Sequence, residues 1–472
     1  LFIGLNRLET QMPTRASTSF VAAAALCFSA QMAWSDTLSD ALVKAYQLSP
    51  ILEASRASLR STDEGVAQAR AARRPTVSGS ATAALSDNDD VNSEVTDTYS
   101  IQLTTSLTLL DGGQNRFAIE SARNLVAAGR ASLRDTEQSV LLNAVSAYMD
   151  VRRDMQFVSL SENNVMVLQE QVRAARDRFE VGEVTRTDVS LAEARLAQAR
   201  ANLASSQGQL RTSQEVYRAV IGVPPSNLQV PPPLPNMPAS VSDAQAIALR
   251  EAPSLTAAQF TEIAAGFDLK RAQAAQGFSA SLSGSATYSA NQRFDGDTQT
   301  SASVGVTGTL PLYQGGRLSS LVRQAQSIVA LRKAEIQSTA RSVRQNVATA
   351  WSSLDVSRAT VAAAREEIRA AQVAFDGVRE EATLGARTTL DVLDREQELR
   401  DAQFALASAE RDRYVAGFNL LASMGLLSVD YLGLGIPTYD PDVNYQKVQN
   451  APFSTERGTI LDKLRGRYAP VK

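Results

Sequence analysis

The sequence predicts an α+β protein built from two copies of one unit, each with a β-hairpin followed by a pair of long antiparallel helices. Three observations support this fold class: a repeat at constant spacing, short segments of alternating polarity, and long proline-free stretches of helix-forming residues. The repeat is clearest where residues 182–196, GEVTRTDVSLAEARL, return as residues 385–399, GARTTLDVLDREQEL. Matched residues such as Asp188 and Asp391 are separated by 203 positions. Repetition over such a length indicates one structural unit used twice.

Composition argues against several classes of function. The chain has 472 residues, a net charge of −3, no histidine and one cysteine, Cys27. Basic and acidic residues are interleaved, which is typical of solvated helix faces and not of a nucleic-acid surface. Without histidine and with one thiol, the chain has few groups that could bind a metal or act in nucleophilic catalysis. We therefore expect no enzyme activity, no cofactor, no metal and no nucleic-acid partner.

The N-terminal stretch is predicted to be an export signal over residues 1–35. Arg15 gives it a positive end, and Phe20–Phe28 gives it an apolar centre. Ala33 and Ser35 are the small residues that precede a cleavage site.

The same stretch leaves its start and a lipid anchor open. Met12 is a candidate start, which makes residues 1–11 an upstream extension. Cys27 also suggests lipidation, but Leu26 stands where a small residue would be needed. The sequence has no apolar run of about 18 or more residues, so we expect no membrane-spanning helix.

Proline content divides the remaining chain into two repeats and a crossover. We place the first repeat at residues 36–222, the crossover at 223–241 and the second repeat at 242–427. The crossover holds seven prolines, and a stretch so rich in proline is extended and semi-rigid. The tail, residues 428–472, is expected to be partly disordered.

The first repeat is expected to begin with helix between Thr37 and Arg73. Pro50 should interrupt that helix early. Its second part is rich in Ala, Arg and Glu, which are good helix formers. Pro75 should end it, because the residue before a proline disfavours helical dihedral angles.

Alternating segments follow at Val77–Leu85 and Ile101–Leu109, and again at Leu282–Ser289 and Ser303–Leu312. Period-two alternation predicts β-strands. Two interpretations stay open: a hairpin on a soluble sheet, or transmembrane strands, which need about 9–11 such residues. The export signal favours the second. The polar connecting loops, expected at Ser86–Ser100 and Ser289–Ser301, would then face the outside of the cell.

Two glycine pairs, Gly112–Gly113 and Gly315–Gly316, follow the last strand of each repeat. Neither has the spacing of a phosphate-binding loop. Glycine tolerates unusual dihedral angles, so both pairs are predicted to turn the chain from strand to helix.

The helical stretch from Gln114 to Glu180 contains no proline. At about 1.5 Å per residue it would be roughly 100 Å long. Apolar residues recur every seven positions, which predicts a left-handed supercoil against neighbouring helices. Gly182 and Gly385 should end the long helix of each repeat. Thr187 or Asp188 in the first copy, and Thr388 or Thr389 in the second, could cap the return helix.

Four strands per chain cannot close a membrane barrel, since the smallest have about eight. Three chains would supply twelve strands with cyclic symmetry. If the strands are transmembrane, the chain must share its barrel with other copies, and we expect a trimeric 12-strand β-barrel continuous with a long α-helical barrel, as the resemblance described next also implies.

Four motifs resemble those of the TolC-type outer-membrane efflux proteins, or outer membrane factors. They are LLDGG at Leu109–Gly113, RFEVGEVTRTDV at Arg178–Val189, PLYQGG at Pro311–Gly316 and LGARTTLDVLD at Leu384–Asp394. The resemblance extends over roughly Leu38–Leu427. It implies a homotrimeric, passive export duct in the outer membrane of a Gram-negative bacterium, in contact with lipid and reaching far into the periplasm.

The resemblance also implies partners and substrates. A periplasmic adaptor protein and an inner-membrane pump of the RND, ABC or MFS type would supply the energy. The exported substrates would be drugs, small toxic compounds or proteins. Two rivals stay open: a dedicated type I protein-secretion duct of the same fold, and a coiled-coil envelope scaffold that forms no channel.

The resemblance assigns roles to residues near the helix ends. Asp391 and Asp394 match the aspartates that constrict the periplasmic mouth, although by sequence alone they are ordinary acidic residues in a first helical turn. Arg387 matches the family's gate arginine and Asp188 its partner. Ala382 departs from the pattern, because the family has a tyrosine there. The periplasmic tips, with the adaptor contact, fall on the following residues: Gly182, Val184, Thr185, Gly385 and Thr388.

Overall fold

The computed structural model describes residues 36–88, 94–291 and 298–449. The predicted export signal, the centres of both hairpin loops and the tail after residue 449 lie outside these ranges. The first repeat contains α1 (Leu38–Leu48), α2 (Pro50–Ala71), β1 (Thr76–Asn88), β2 (Glu94–Leu110), α3 (Gln114–Glu180) and α4 (Arg186–Ile221). The rest contains α5 (Val241–Glu251), α6 (Pro253–Ala274), β3 (Ser279–Asn291), β4 (Thr298–Thr309), α7 (Arg317–Thr383), α8 (Thr389–Ser423) and α9 (Pro441–Gln449).

The two halves repeat the same order of elements, helix–helix–strand–strand–helix–helix. The long helices α3 and α7 have 67 residues each, and the predicted bounds of α3 are confirmed. Pro50 is the first residue of α2, where its missing N–H costs nothing. Within residues 36–88, 94–291 and 298–449, no helix combines the length and the apolar character that crossing a membrane requires.

The four strands form one antiparallel sheet in the order β1-β2-β3-β4. Partner residues across the sheet place the apolar side chains on one face: Ala81 lies opposite Ile101, Ile101 opposite Tyr288, and Leu282 opposite Val306. Val77 and Val306 are largely exposed on this face. The sheet thus presents an uncovered apolar surface and a surface of Ser and Thr.

The strands are longer than the sequence predicted. β1 has 13 residues and β2 has 17, so the expected loop over Ser86–Ser100 is too long by several residues at each end. The same holds for Ser289–Ser301, because β3 continues to Asn291 and β4 begins at Thr298. Ladder pairing to the hairpin tip, such as Asn88 opposite Glu94, keeps polar residues in strand conformation.

Helices α3 and α4 pack as one antiparallel hairpin, and α7 and α8 pack as another. Small residues of α3 at multiples of the seven-residue spacing are buried: Ala147, Ser161 and Ala175. Small side chains let helix axes approach closely. Helix α8 also contacts α3, where the rings of Phe157 and Phe404 pack edge to face with their centroids 4.8 Å apart. The two hairpins therefore lie side by side.

The main core lies where α1, α5 and the proline-rich crossover pack against the long helices. The hydroxyl of buried Tyr148 donates to the carbonyl oxygens of Asp36 at 3.0 Å and Gln229 at 2.8 Å. From the second repeat, the Tyr414 hydroxyl of α8 donates to the carbonyl oxygen of Pro232 at 3.0 Å. These bonds fasten the crossover to both repeats.

Helix α9 packs on α2 and α3. The Asn444 amide donates to Asp63 at 2.7 Å, and Arg130 forms an ion pair with Asp442 at 2.6 Å. The guanidinium of Arg130 also lies over the ring of Tyr445. The part of the tail up to residue 449 is therefore attached to the first repeat.

Candidate functional site

The candidate site lies at the two helix–helix turns, one between α3 and α4 and the other between α7 and α8. Gly182 and Gly385 have φ of 80° and 78°, a left-handed conformation that glycine adopts without steric cost. In each turn a backbone N–H donates to a carbonyl oxygen of the preceding helix: Glu183 to Arg178, and Ala386 to Glu381, both at 2.9 Å. Both glycines end their helices as predicted.

The return helices begin with matching capping boxes. The Thr388 hydroxyl accepts from the N–H of Asp391 at 3.3 Å, and the Asp391 carboxylate accepts from the N–H of Thr388 at 3.0 Å. Thr185 and Asp188 make the same pair of bonds. The cap of α8 is thus one of the two predicted residues. The prediction for α4 was wrong. Thr185 provides the cap, because its hydroxyl accepts from the N–H of Asp188, the third residue of the helix.

These bonds also favour the charged form of the two aspartates. Backbone and hydroxyl hydrogen bonds from Thr388 lower the pKa of Asp391. The hydroxyl and backbone of Thr185 lower the pKa of Asp188 in the same way. Donors directed at a carboxylate favour its charged form. Within one chain, Asp391 and Asp188 therefore carry negative charge at neutral pH.

Arg387 lies in the turn that precedes α8 and is half exposed. Within one chain its Nε donates to Glu381 at 2.8 Å, while the Asp188 carboxylate accepts the Thr185 N–H and hydroxyl. The described chain thus places the two predicted gate residues on separate turns, each with a local partner.

Asp394 has a partner that the sequence did not predict. Arg195 of α4 donates to its carboxylate at 2.8 Å and to the amide oxygen of Gln397 at 2.9 Å. Two residues after Asp394, Glu396 accepts from Gln171 of α3 at 2.6 Å. These contacts tie α8 to the α3–α4 hairpin near the tips.

One signal for the Arg195 contact was present in the sequence. The repeat aligns Asp394 with Leu191 and Arg195 with Glu398, so the acid of the second copy and the base of the first each lack a counterpart of the same charge. An unmatched acid and an unmatched base at nearby heights on two helices are consistent with a pairing between the copies.

The glycine pairs lie where the strands meet the long helices. Gly113 and Gly316 directly precede α3 and α7 with φ of 92° and 82°. Gly112 and Gly315 also have positive φ. A Cβ on Gly112 would come within 2.9 Å of the Ala274 carbonyl oxygen, so this turn has no room for a side chain.

Comparison with known proteins identifies the family to which this architecture belongs. The sequence profile of the family described as Outer membrane efflux protein matches residues 41–223 and 246–426. The chain belongs to this family. The two matched segments correspond to the two repeats, and together they cover most of the sequence.

Curated relatives of the family align along most of the chain. The outer membrane efflux protein BepC of Brucella suis biovar 1 is 40% identical over 447 residues, which are 93% of this chain and 97% of BepC. The outer membrane protein TolC of Escherichia coli is 26% identical over 405 residues, covering 81% of this chain and 79% of TolC.

Solved structures share the fold. The CmeC outer membrane channel of Campylobacter jejuni superimposes with a TM-score of 0.71 at 14% identity, covering 88% of this chain and 89% of CmeC. The predicted family, fold class and outer-membrane location are therefore confirmed, with four strands contributed by each chain. The protein is an outer-membrane efflux channel, a transport component of the kind found in tripartite export systems.

Proposed function

We propose that three copies of this chain assemble into one passive export duct. The observation that carries the proposal is the open four-stranded sheet, since in the described ranges the outer edges of β1 and β4 pair with no strand. In lipid, each unpaired backbone group costs several kcal/mol. Pairing β1 of one copy with β4 of the next removes both edges, and three copies give twelve strands.

The helical tips are the proposed contact with a periplasmic adaptor protein. The turn residues Gly182, Val184, Thr185, Gly385 and Thr388 lie at the far end of the long helices from the sheet, and most are exposed. An inner-membrane pump behind the adaptor supplies the energy. We propose efflux of drugs or other small toxic compounds as the main task, in keeping with the description of BepC as an efflux protein.

The proposed gate lies at the same end. With threefold symmetry, Asp391 and Asp394 form acidic rings that narrow the periplasmic mouth and attract cations. Arg387 reaches Asp188 of a neighbouring copy in the closed state, in exchange for its present bond to Glu381. Asp391 carries most of the ring's charge, because Arg195 partly neutralises Asp394.

Native mass spectrometry in detergent and planar-bilayer recording test the duct. We expect a trimer and discrete ion conductance. A folded monomer without conductance would contradict the proposal and would favour the envelope scaffold.

A deletion strain tests the substrate. We expect greater susceptibility across a panel of drugs and detergents, restored by the wild-type gene, with the set of secreted proteins unchanged. Loss of particular secreted proteins with normal susceptibility would instead identify a type I secretion duct.

A further inference from the structure

A cavity of about 200 Å³ lies beneath the proline-rich crossover, where it passes over α3 and α8. Its lining includes Pro231–Pro233 of the crossover and Tyr414. Four arginines also line it: Arg152 and Arg153 from α3, and Arg411 and Arg413 from α8. All of these groups belong to one chain.

The carboxylates near this cavity are already engaged. Asp150 accepts from Arg153 at 3.1 Å and from Arg411 at 2.9 Å. Asp154 accepts from Arg153 at 2.8 Å. The one acidic residue that lines the cavity, Glu410, forms an ion pair with Arg365 at 3.0 Å. The positive charges of Arg153 and Arg411 are therefore compensated.

The other two arginines are not compensated in this way. Arg152 donates to the carbonyl oxygen of Gln229 at 2.7 Å, and along the described parts of the chain it has no carboxylate partner. The Nε of Arg413 is buried without a hydrogen-bond partner among the same residues. Guanidinium groups stay protonated in proteins, and a buried charged donor without an acceptor is unfavourable.

We propose that this cavity binds a compact oxyanion, a phosphate or a carboxylate group, through Arg152 and Arg413. The planar guanidinium fork matches both groups and can donate two parallel hydrogen bonds to each. The volume suits one such group and lies below the roughly 300–1,000 Å³ of sites for drug-sized molecules. The bound anion would connect α3 of the first repeat to α8 of the second beneath the crossover, a role separate from the export duct.

Isothermal titration calorimetry on the full-length protein in detergent tests this site. The probes are inorganic phosphate and acetate, each against a sodium chloride series of equal ionic strength. We expect saturable heat with at least one of the two oxyanions and none with chloride. Which of them binds distinguishes a phosphate from a carboxylate ligand.

Matched variants test whether the measured heat comes from anion binding in the cavity. Arg413→Gln and Arg152→Gln should each weaken binding by about tenfold or more, because each removes a charged donor. Arg358→Gln is the control, since Arg358 is an exposed arginine of α7 whose ion pair with Asp355 lies outside the cavity. Circular dichroism verifies that each variant is folded, and Arg413→Lys keeps the charge if the glutamine variant does not fold.

Two results would overturn the proposal. One is the absence of saturable heat from both oxyanions with folded wild-type protein. The other is equal binding by wild type, Arg413→Gln, Arg152→Gln and Arg358→Gln, which would place the anion elsewhere on the surface.

Discussion

At the scale of single residues, Asp63 of α2 is a buried carboxylate that faces the tail. Its side chain is almost fully buried between α2 and α9, and its Oδ1 has no hydrogen-bond partner among the described residues. Burial raises the pKa of Asp63, against the opposing effect of the Asn444 hydrogen bond. Ionising this group in the folded protein is therefore unfavourable.

The sign of the resulting pH dependence can be worked out. Because the folded pKa lies above the unfolded value of 3.8, the folded state holds a proton that the unfolded state has released, and this contribution to stability is lost as pH rises through the folded pKa. The melting temperature of Asp63→Asn relative to wild type should rise with pH between about 4 and 7, where other carboxylates affect both proteins alike. A flat or falling difference in calorimetric melting would contradict this assignment.

Asp391 and Asp394 differ in their surroundings, and this leads to a second prediction. Asp391 is held ionised by Thr388, whereas Asp394 faces Arg195. Asp391→Ala should therefore reduce the cation preference of the channel more than Asp394→Ala does. The measurement is the reversal potential in a KCl gradient across a planar bilayer, with each variant verified to assemble as wild type does. Equal effects of the two variants would mean that Arg195 leaves the Asp394 charge unscreened.

At the scale of elements, the contact between α4 and α8 depends on few polar groups. The Arg195–Asp394 pair is partly exposed, so it contributes only about 0–1 kcal/mol in one chain. Three symmetric copies would add these contributions in a closed duct. We predict that Arg195→Gln raises single-channel conductance without loss of assembly. Arg173→Gln is the matched control, because in the described part of the chain Arg173 forms its ion pair with Glu170 on its own helix.

The junction where α8 ends supports another prediction. Gly425 has φ of +80°, and a Cβ there would lie 2.5 Å from the Glu251 carbonyl oxygen. Gly385 has nearly the same φ of +78° but open space around it. Gly385→Ala should cost about 1–2 kcal/mol from the left-handed conformation alone, and Gly425→Ala should cost clearly more. Thermal unfolding in detergent compares the two variants. Equal losses of stability would show that the backbone at Glu251 moves to accommodate the added Cβ.

At the scale of the whole molecule, the sheet and the helical turns lie at opposite ends of α3 and α7. The hairpin tips, near Asn88 and Asn291, are thus the points farthest along the strands from the helices. In membrane barrels the longer polar loops face outward. A cysteine at Asn88 should react with a membrane-impermeant maleimide on intact cells. Reaction only after the outer membrane is broken would reverse this topology.

The sequence by itself determined the features that depend on neighbouring residues. Alternation identified the strands, glycine marked both ends of α3 at Gly113 and Gly182, and Gly385 marked the matching turn of the second repeat. Each follows from local dihedral preferences or from a periodicity of two or seven residues. Such signals are complete within a short window, which explains why they are readable without the fold.

The tertiary structure decided what depends on how separate elements meet. It placed the cap of α4 at Thr185 and extended the strands beyond their alternating core, because ladder partners hold polar residues in register. It also paired Arg195 with Asp394 and left Arg413 without a carboxylate partner among the described residues. Residues so far apart in the chain meet only after the two helical hairpins pack at a particular rotation, and no local preference specifies that rotation.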